Sequence, residues 1–165
     1  MAMKRVILDT NIYGRMLDDV QDVEAVQNSG NVIIYGFEII RKELRKLSKN
    51  VHHQNRQLRI LLLGIYDASV KSHDYQVTEH MKELAKEYYK VYNELEGMRS
   101  SDEIMNDMLI VACGSIHELD IVVSEDRKTM SSEKCIKAYR IVNGLRKYKT
   151  PDFIGYDKFK MLISL

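Results

Sequence analysis

The chain has 165 residues, of which 45% are hydrophobic and 30% charged, and a net charge of +1. That is enough polymer for one domain with its own core, so residues 1–165 are expected to form a single domain, with no bulk electrostatic signature of a nucleic-acid binder. One Pro, and two Cys without CxxC or Cys/His spacing, argue against a disordered linker, a disulfide framework and a zinc site; the early charges of Met1 to Asp9 and the lack of an apolar stretch of ~20 residues argue against a signal peptide and a membrane span, which implies a reducing, cytoplasmic setting.

Val6-Ile7-Leu8 is a continuous apolar run, the pattern of a strand buried on both faces of a parallel sheet, and it stops at Asp9. Asp9-Thr10-Asn11 offers capping side chains before a helix from Ile12 to about Asp18, with a second short helix from about Asp22. Asn31 to Tyr35 repeats the strand signal and Gly36 is expected to end it. Phe37, Ile40, Leu44 and Leu47 then mark an amphipathic helix. Ser48 to Asn55 reads as a polar loop, Leu58 to Tyr66 as a leucine-rich helix, and Ala68 to Lys71 as a weak strand.

Val77 to Leu95 is the longest periodic segment. Met81, Leu84, Tyr88, Tyr92 and Leu95 fall on one face with Ala85 beside them, a core stripe whose tyrosines leave an oligomer interface open as the lesser reading. After a turn at Glu96 to Ser101, Asp102 to Leu119 is apolar almost all round and therefore a buried helix. Ile121-Val122-Val123 is another parallel-type strand, ending at Ser124. A helix from about Ser131 to Arg146 is broken by Thr150-Pro151. Phe153-Ile154 reads as a closing edge strand and Lys158 to Ile163 as a terminal helix. Short apolar strands alternating with helices define an α/β protein: an open, mostly parallel sheet of about five strands with helices on both faces.

Four carboxylates, Asp9, Glu43, Asp107 and Asp126, stand where an apolar run ends or inside an apolar helix. Each has a local explanation. Asp9 and Asp126 suit caps, Asp107 suits the N-terminal end of a helix dipole, and Glu43 has Lys42, Arg45 and Lys46 as neighbours. Together they suggest a shared site, because a buried charge is normally paired or bound to metal, and because ligands in open α/β sheets bind at the carboxyl ends of strands. Carboxylates without His or Cys select hard Mg²⁺ or Mn²⁺. Asp9, Asp107 and Asp126 are the candidate metal ligands, Glu43 completes the catalytic set, and Asn11 and Ser124 are candidates to orient them. Mutual repulsion is expected to raise at least one of their pKa values.

Strand-Asp-Thr-Asn at Val6 to Asn11, Glu43-Leu44 on the helix after the second strand, Asp-x-Leu-Ile-Val-Ala at Asp107 to Ala112, and strand-Ser-x-Asp at Val122 to Asp126 resemble, in order, the PIN domain family, many members of which are VapC-type toxins. The resemblance implies a PIN-like, Rossmann-like sheet, a Mg²⁺ or Mn²⁺ pocket of three or four acids, and endoribonuclease action on single-stranded RNA. It further implies an antitoxin partner; we also expect a homodimer and no membrane association. The pattern departs from the family in Ser124-Glu125-Asp126, which replaces the usual Thr-x-Asp. Glu38 rivals Glu43, although five residues of helix separate their faces, and Asp102 rivals Asp107.

Basic residues crowd into two regions. One holds Arg41, Lys42, Arg45, Lys46 and Lys49; in the other, residues 127–160, ten basic residues face three acidic ones. Such runs are commonly solvated helix faces, and beside an acidic centre they become candidate phosphate contacts, with Arg41, Lys42, Arg127 and Lys128 as the RNA-binding candidates. The five histidines are scattered and take no role; His52-His53 suits a solvated loop and His117 a helix C-terminus. Alternatives are an RNA-processing nuclease outside a toxin pair, a non-catalytic RNA-binding module of the same fold, and a haloacid-dehalogenase-type phosphatase. The last wants a second Asp where Asn11 stands.

Overall fold

The computed structural model describes residues 2–164. In chain order its elements are β1 (Lys4–Leu8), α1 (Thr10–Asp18), α2 (Val20–Asn28), β2 (Val32–Phe37), α3 (Glu38–Arg45), β3 (His52–His53), β4 (Arg56–Gln57) and α4 (Leu58–Val70). There follow β5 (Asp74–Tyr75), α5 (Glu79–Glu94), α6 (Ser101–Ile116), β6 (Ile121–Val123), α7 (Glu133–Arg146), β7 (Asp152–Ile154) and α8 (Tyr156–Ile163). Five strands form one parallel sheet in the order β5-β2-β1-β6-β7, with Val6 registered against Ile34 on one side and Ile121 on the other. The expected α/β architecture is the one observed.

Successive residues of a strand face opposite sides of the sheet, so the complete burial of Val6, Ile7 and Leu8 means that both faces are covered. One cover is built from α1, α2 and α4, which pack on one another; the other from α5, α6 and α7. α3 touches both α4 and α6 and so bridges the two sets over the top of the sheet. The α5 stripe turns inward. Met81, Leu84, Ala85, Tyr88 and Tyr92 are buried, and the Tyr88 hydroxyl donates to Asn143 Oδ1 at 2.6 Å in a network with Ser115. Tyr88 and Tyr92 therefore serve the core, as the stripe implied, and not the lesser reading of an interface.

Three local expectations change. Ala68 to Val70 is the last turn of α4 rather than a strand, because Val70 is buried against the core and the chain turns only at Lys71, whose φ is 56°. The edge strand is the polar pair Asp74–Tyr75, registered with Gly36 and Phe37, so β2 runs one residue beyond Gly36. The polar segment after α3 contains a two-residue hairpin, β3–β4, turned by Gln54 and Asn55 at φ 50° and 66°. That turn needs two left-handed residues, and here neither is Gly.

Caps set several helix starts. Asp19 accepts from Gln21 N and starts α2 earlier than expected, and Ser100 and Glu103 form a reciprocal capping box on α6. Asp22 is buried on α2, where the Tyr156 hydroxyl donates to it and Lys160 lies 3.6 Å away, tying α2 to α8. Among the described residues no helix is long and apolar enough to cross a membrane.

Candidate active site

The strand order reverses between β1 and β6, and Asp9 and Asp126 follow the carboxyl ends of those two strands. Asp9 is buried at 6% exposure and serves first as the N-cap of α1, its Oδ1 accepting from Thr10 N at 2.8 Å. Its Oδ2 accepts from the Ser124 hydroxyl at 2.7 Å and from Asn11 Nδ2 at 3.4 Å. Ser124 Oγ in turn accepts from Asp126 N at 3.0 Å, and Asn11 Oδ1 from Glu125 N at 3.3 Å. Two small polar side chains thus lock the loop after β1 to the loop after β6. Asn11 and Ser124 stand where orienting residues were expected.

Asp126 is held by its own turn, its Oδ1 accepting from Lys128 N at 3.0 Å and Thr129 N at 2.9 Å. The Thr129 hydroxyl contacts Asp126 Oδ2 closely and lies 2.6 Å from Asp107 Oδ2. Asp107 projects from the second turn of α6, and Glu43 from α3, where its Oε1 accepts from the Thr10 hydroxyl at 3.0 Å. Thr10 therefore joins Asp9 to Glu43 as Thr129 joins Asp126 to Asp107. In sequence Thr10 reads only as a capping residue, and Thr129 takes no role. Asp-x-x-Thr, a carboxylate three residues before a hydroxyl, was the available signal.

Burial pushes the Asp107 carboxyl up to about 7; its hydrogen bond to Thr129 opposes that, and the charges of Asp9, Asp126 and Glu43 add to it. Burial likewise raises Asp9 and Glu43, with the charge of Asp126 acting on the first and of Asp9 on the second. Repulsion was expected to be the main cause. Desolvation is larger, since these groups lie under the loops rather than in open solvent. With Asp107 protonated, its carboxyl can donate to Thr129 Oγ while the threonine proton goes to Asp126, satisfying all three groups.

Among the described residues none of the four carboxylates makes an ion pair; the charge of Lys46 acts weakly on Glu43. Their hydrogen-bond partners are hydroxyls, backbone amides and Asn11, without an imidazole. Hard oxygens carrying uncompensated charge suit a hard divalent cation. As they stand, however, no three His, Cys, Asp or Glu side chains among the described residues are gathered closely enough to clasp an ion. The acids turn to Thr10, Ser124 and Thr129 instead of to one shared point.

The rival acids lie apart from this cluster. Glu38 accepts from Val77 N and pairs with Lys42 at 3.2 Å, fastening α3 to the segment before α5. Asp102 is exposed in the first turn of α6. Arg41 forms a two-pronged pair with Asp67 at 3.1 and 3.0 Å, so Arg41 and Lys42 are already engaged. Arg127 and Lys128 are exposed directly after Asp126 and make no ion pair among the described residues. His117 caps the C-terminus of α6 and stacks on Tyr75 with ring centroids 3.7 Å apart.

No protein-family model and no curated protein matches the chain. Solved structures do. VapBC2 from Rickettsia felis, bound to a DNA fragment from their promoter, superposes with a TM-score of 0.56 at 12% identity over 93% of this chain and 99% of that one. FitAcB from Neisseria gonorrhoeae gives a TM-score of 0.49 at 14% identity over 90% and 96%. At such identities the likeness is one of fold. It is the PIN-like α/β fold that the four motifs implied.

Proposed function

We propose that the chain is a metal-dependent endoribonuclease that hydrolyses phosphodiester bonds of single-stranded RNA, acting as the VapC-like toxin of a toxin–antitoxin pair. One observation carries this reading: carboxylates from two strand-end loops and two helices act on one another's charge at the switch point of the sheet, and none is neutralised by an ion pair among the described residues. Fold stability does not call for such an arrangement, because desolvated like charges oppose folding. A divalent cation reverses that sign.

Asp9, Asp107 and Asp126 would hold Mg²⁺ or Mn²⁺, with Glu43 completing the set. A bound cation of this kind supplies charge neutralisation at the phosphate and an acidified water. The chain's own residues do the rest. Ser124 and Asn11 fix the orientation of Asp9, Thr10 fixes Glu43, and the turn at Lys128 and Thr129 fixes Asp126. None of the candidate site residues is placed as a covalent nucleophile.

The likeness in fold to VapBC2 favours the toxin reading, and hence a partner protein, over an RNA-processing enzyme. A small open reading frame beside the gene, encoding a DNA-binding partner, supports the toxin. The intact acids favour an enzyme over a non-catalytic RNA-binding module. The test is cleavage of single-stranded RNA in Mn²⁺. Wild type should cleave, EDTA and Asp9→Asn should each abolish cleavage, and activity surviving in Asp9→Asn would overturn the assignment.

A further inference from the structure

Next to the acids, beyond the β6 end, two hollows lie side by side. The first, about 490 Å³, adjoins Ser124 and runs past Arg127, Phe153 and Lys158 at the carboxyl ends of β6 and β7. The second, about 760 Å³, lies along the outer face of α7 with Lys137 and Arg140 on its walls. Ser131 and Ile136 line both, so the two hollows are neighbours and together make up a trough. It begins at Ser124, whose hydroxyl touches Asp9.

The charge of this trough sets it apart from the other basic region. Arg127, Lys137, Arg140 and Lys158 make no ion pair among the described residues, whereas Arg41 and Lys42 are spent on Asp67 and Glu38. The acids lining it offset this only in part. Glu125 is taken by Arg15 at 2.9 Å and by Tyr156 N, which leaves Glu133 and Asp157, in the first turns of α7 and α8 where the helix dipoles favour them. Half-buried Phe153 and Ile136 give the floor an apolar surface. Free cations along a groove with apolar ground between them match a single nucleic-acid strand, whose phosphates seek the charges and whose bases seek the floor.

We infer that this trough, from Arg127 and Lys158 to Lys137 and Arg140, is the track along which the single-stranded RNA substrate leaves the acidic centre. The inference rests on the ribonuclease reading and adds the path of the strand. Its phosphates pair with these four side chains, and the Arg41–Lys42 face takes no part.

The test is binding of a labelled, mixed-sequence single-stranded RNA to the full chain in EDTA, where metal-dependent cleavage is off. Lys137→Glu/Arg140→Glu and Arg127→Glu/Lys158→Glu should each weaken binding by about tenfold or more and flatten its salt dependence by ~0.7 in log–log slope for every phosphate no longer neutralised. Lys86→Glu/Lys90→Glu, an equal charge change on exposed positions of α5, should leave binding within about twofold. Equal losses in all three double variants, or no loss in the trough pairs, overturn the inference. Loss of binding to an acidic peptide with RNA binding intact also overturns it, and assigns the trough to a protein segment. If wild type cleaves RNA in Mn²⁺ while the trough variants keep its affinity, only the track fails. If the trough variants lose binding but wild type never cleaves, the track stands and the ribonuclease reading fails.

Discussion

Thr129 has one hydroxyl proton and two carboxylates to serve, Asp107 on α6 and Asp126 in its own turn. Thr129→Val keeps the shape and removes the bridge, so urea unfolding in EDTA should show a loss of about 1–3 kcal/mol, the cost of a charge-assisted, part-buried hydrogen bond left unmade, while Thr129→Ser stays near wild type. Equal stability of Thr129→Val and wild type would mean the bridge carries no weight. Asp107 gives a sign to pH. Unfolded, it ionises near its ordinary 3.8; folded, it holds its proton up to about 7. Between those values the native state binds more protons, so stability falls as pH rises and the loss is complete above 7. In EDTA the urea midpoint should therefore be higher near pH 5 than near pH 8, and Asp107→Asn should flatten that difference. Asp9, Ser124 and Asp126 were legible in the sequence because each stands just past an apolar strand. Thr129 was not, since its value lies in reaching Asp107, 22 residues away along the chain.

At the scale of elements, the legible parts were those that alternation and periodicity write into a run of several residues. β1, β2, β6, α5 and α6 all emerged near their observed bounds, and so did the shared address of Asp9 and Asp126. β5 and the β3–β4 hairpin did not, because two residues carry no period and these are polar. What fixes β5 is tertiary. Tyr66 on α4 donates its one hydroxyl proton to Asp74 Oδ1 at 2.5 Å, with Phe37 O 3.3 Å from the same oxygen, pinning the edge strand against β2 across a gap that only Gly36 leaves open. A Cβ at Gly36 would meet the Tyr66 hydroxyl, with Asp74 Oδ1 and Val70 Cγ1 both at 2.7 Å. Gly36→Ala should destabilise by about 1–3 kcal/mol, measured by thermal unfolding, as overpacking at a rigid contact does. An unchanged melting temperature would show that the α4–β2–β5 corner is loose.

At the scale of the whole molecule, the sheet order brings residues from positions 9 to 129 to the same end of the sheet, where α6 of one cover carries Asp107 and the bridging helix α3 carries Glu43. Desolvation of these charges opposes folding, and on the proposed reading a bound divalent cation would relieve that cost. The most direct measurement is the melting temperature in EDTA and in saturating Mn²⁺ for wild type and Asp9→Asn. A ligand at a hundredfold excess over its Kd adds about 2.7 kcal/mol, which for a protein of this size is a rise of ~5–10 °C. Wild type should show that rise and Asp9→Asn almost none; the same rise in both, or in neither, would contradict a divalent-cation site built on these four acids.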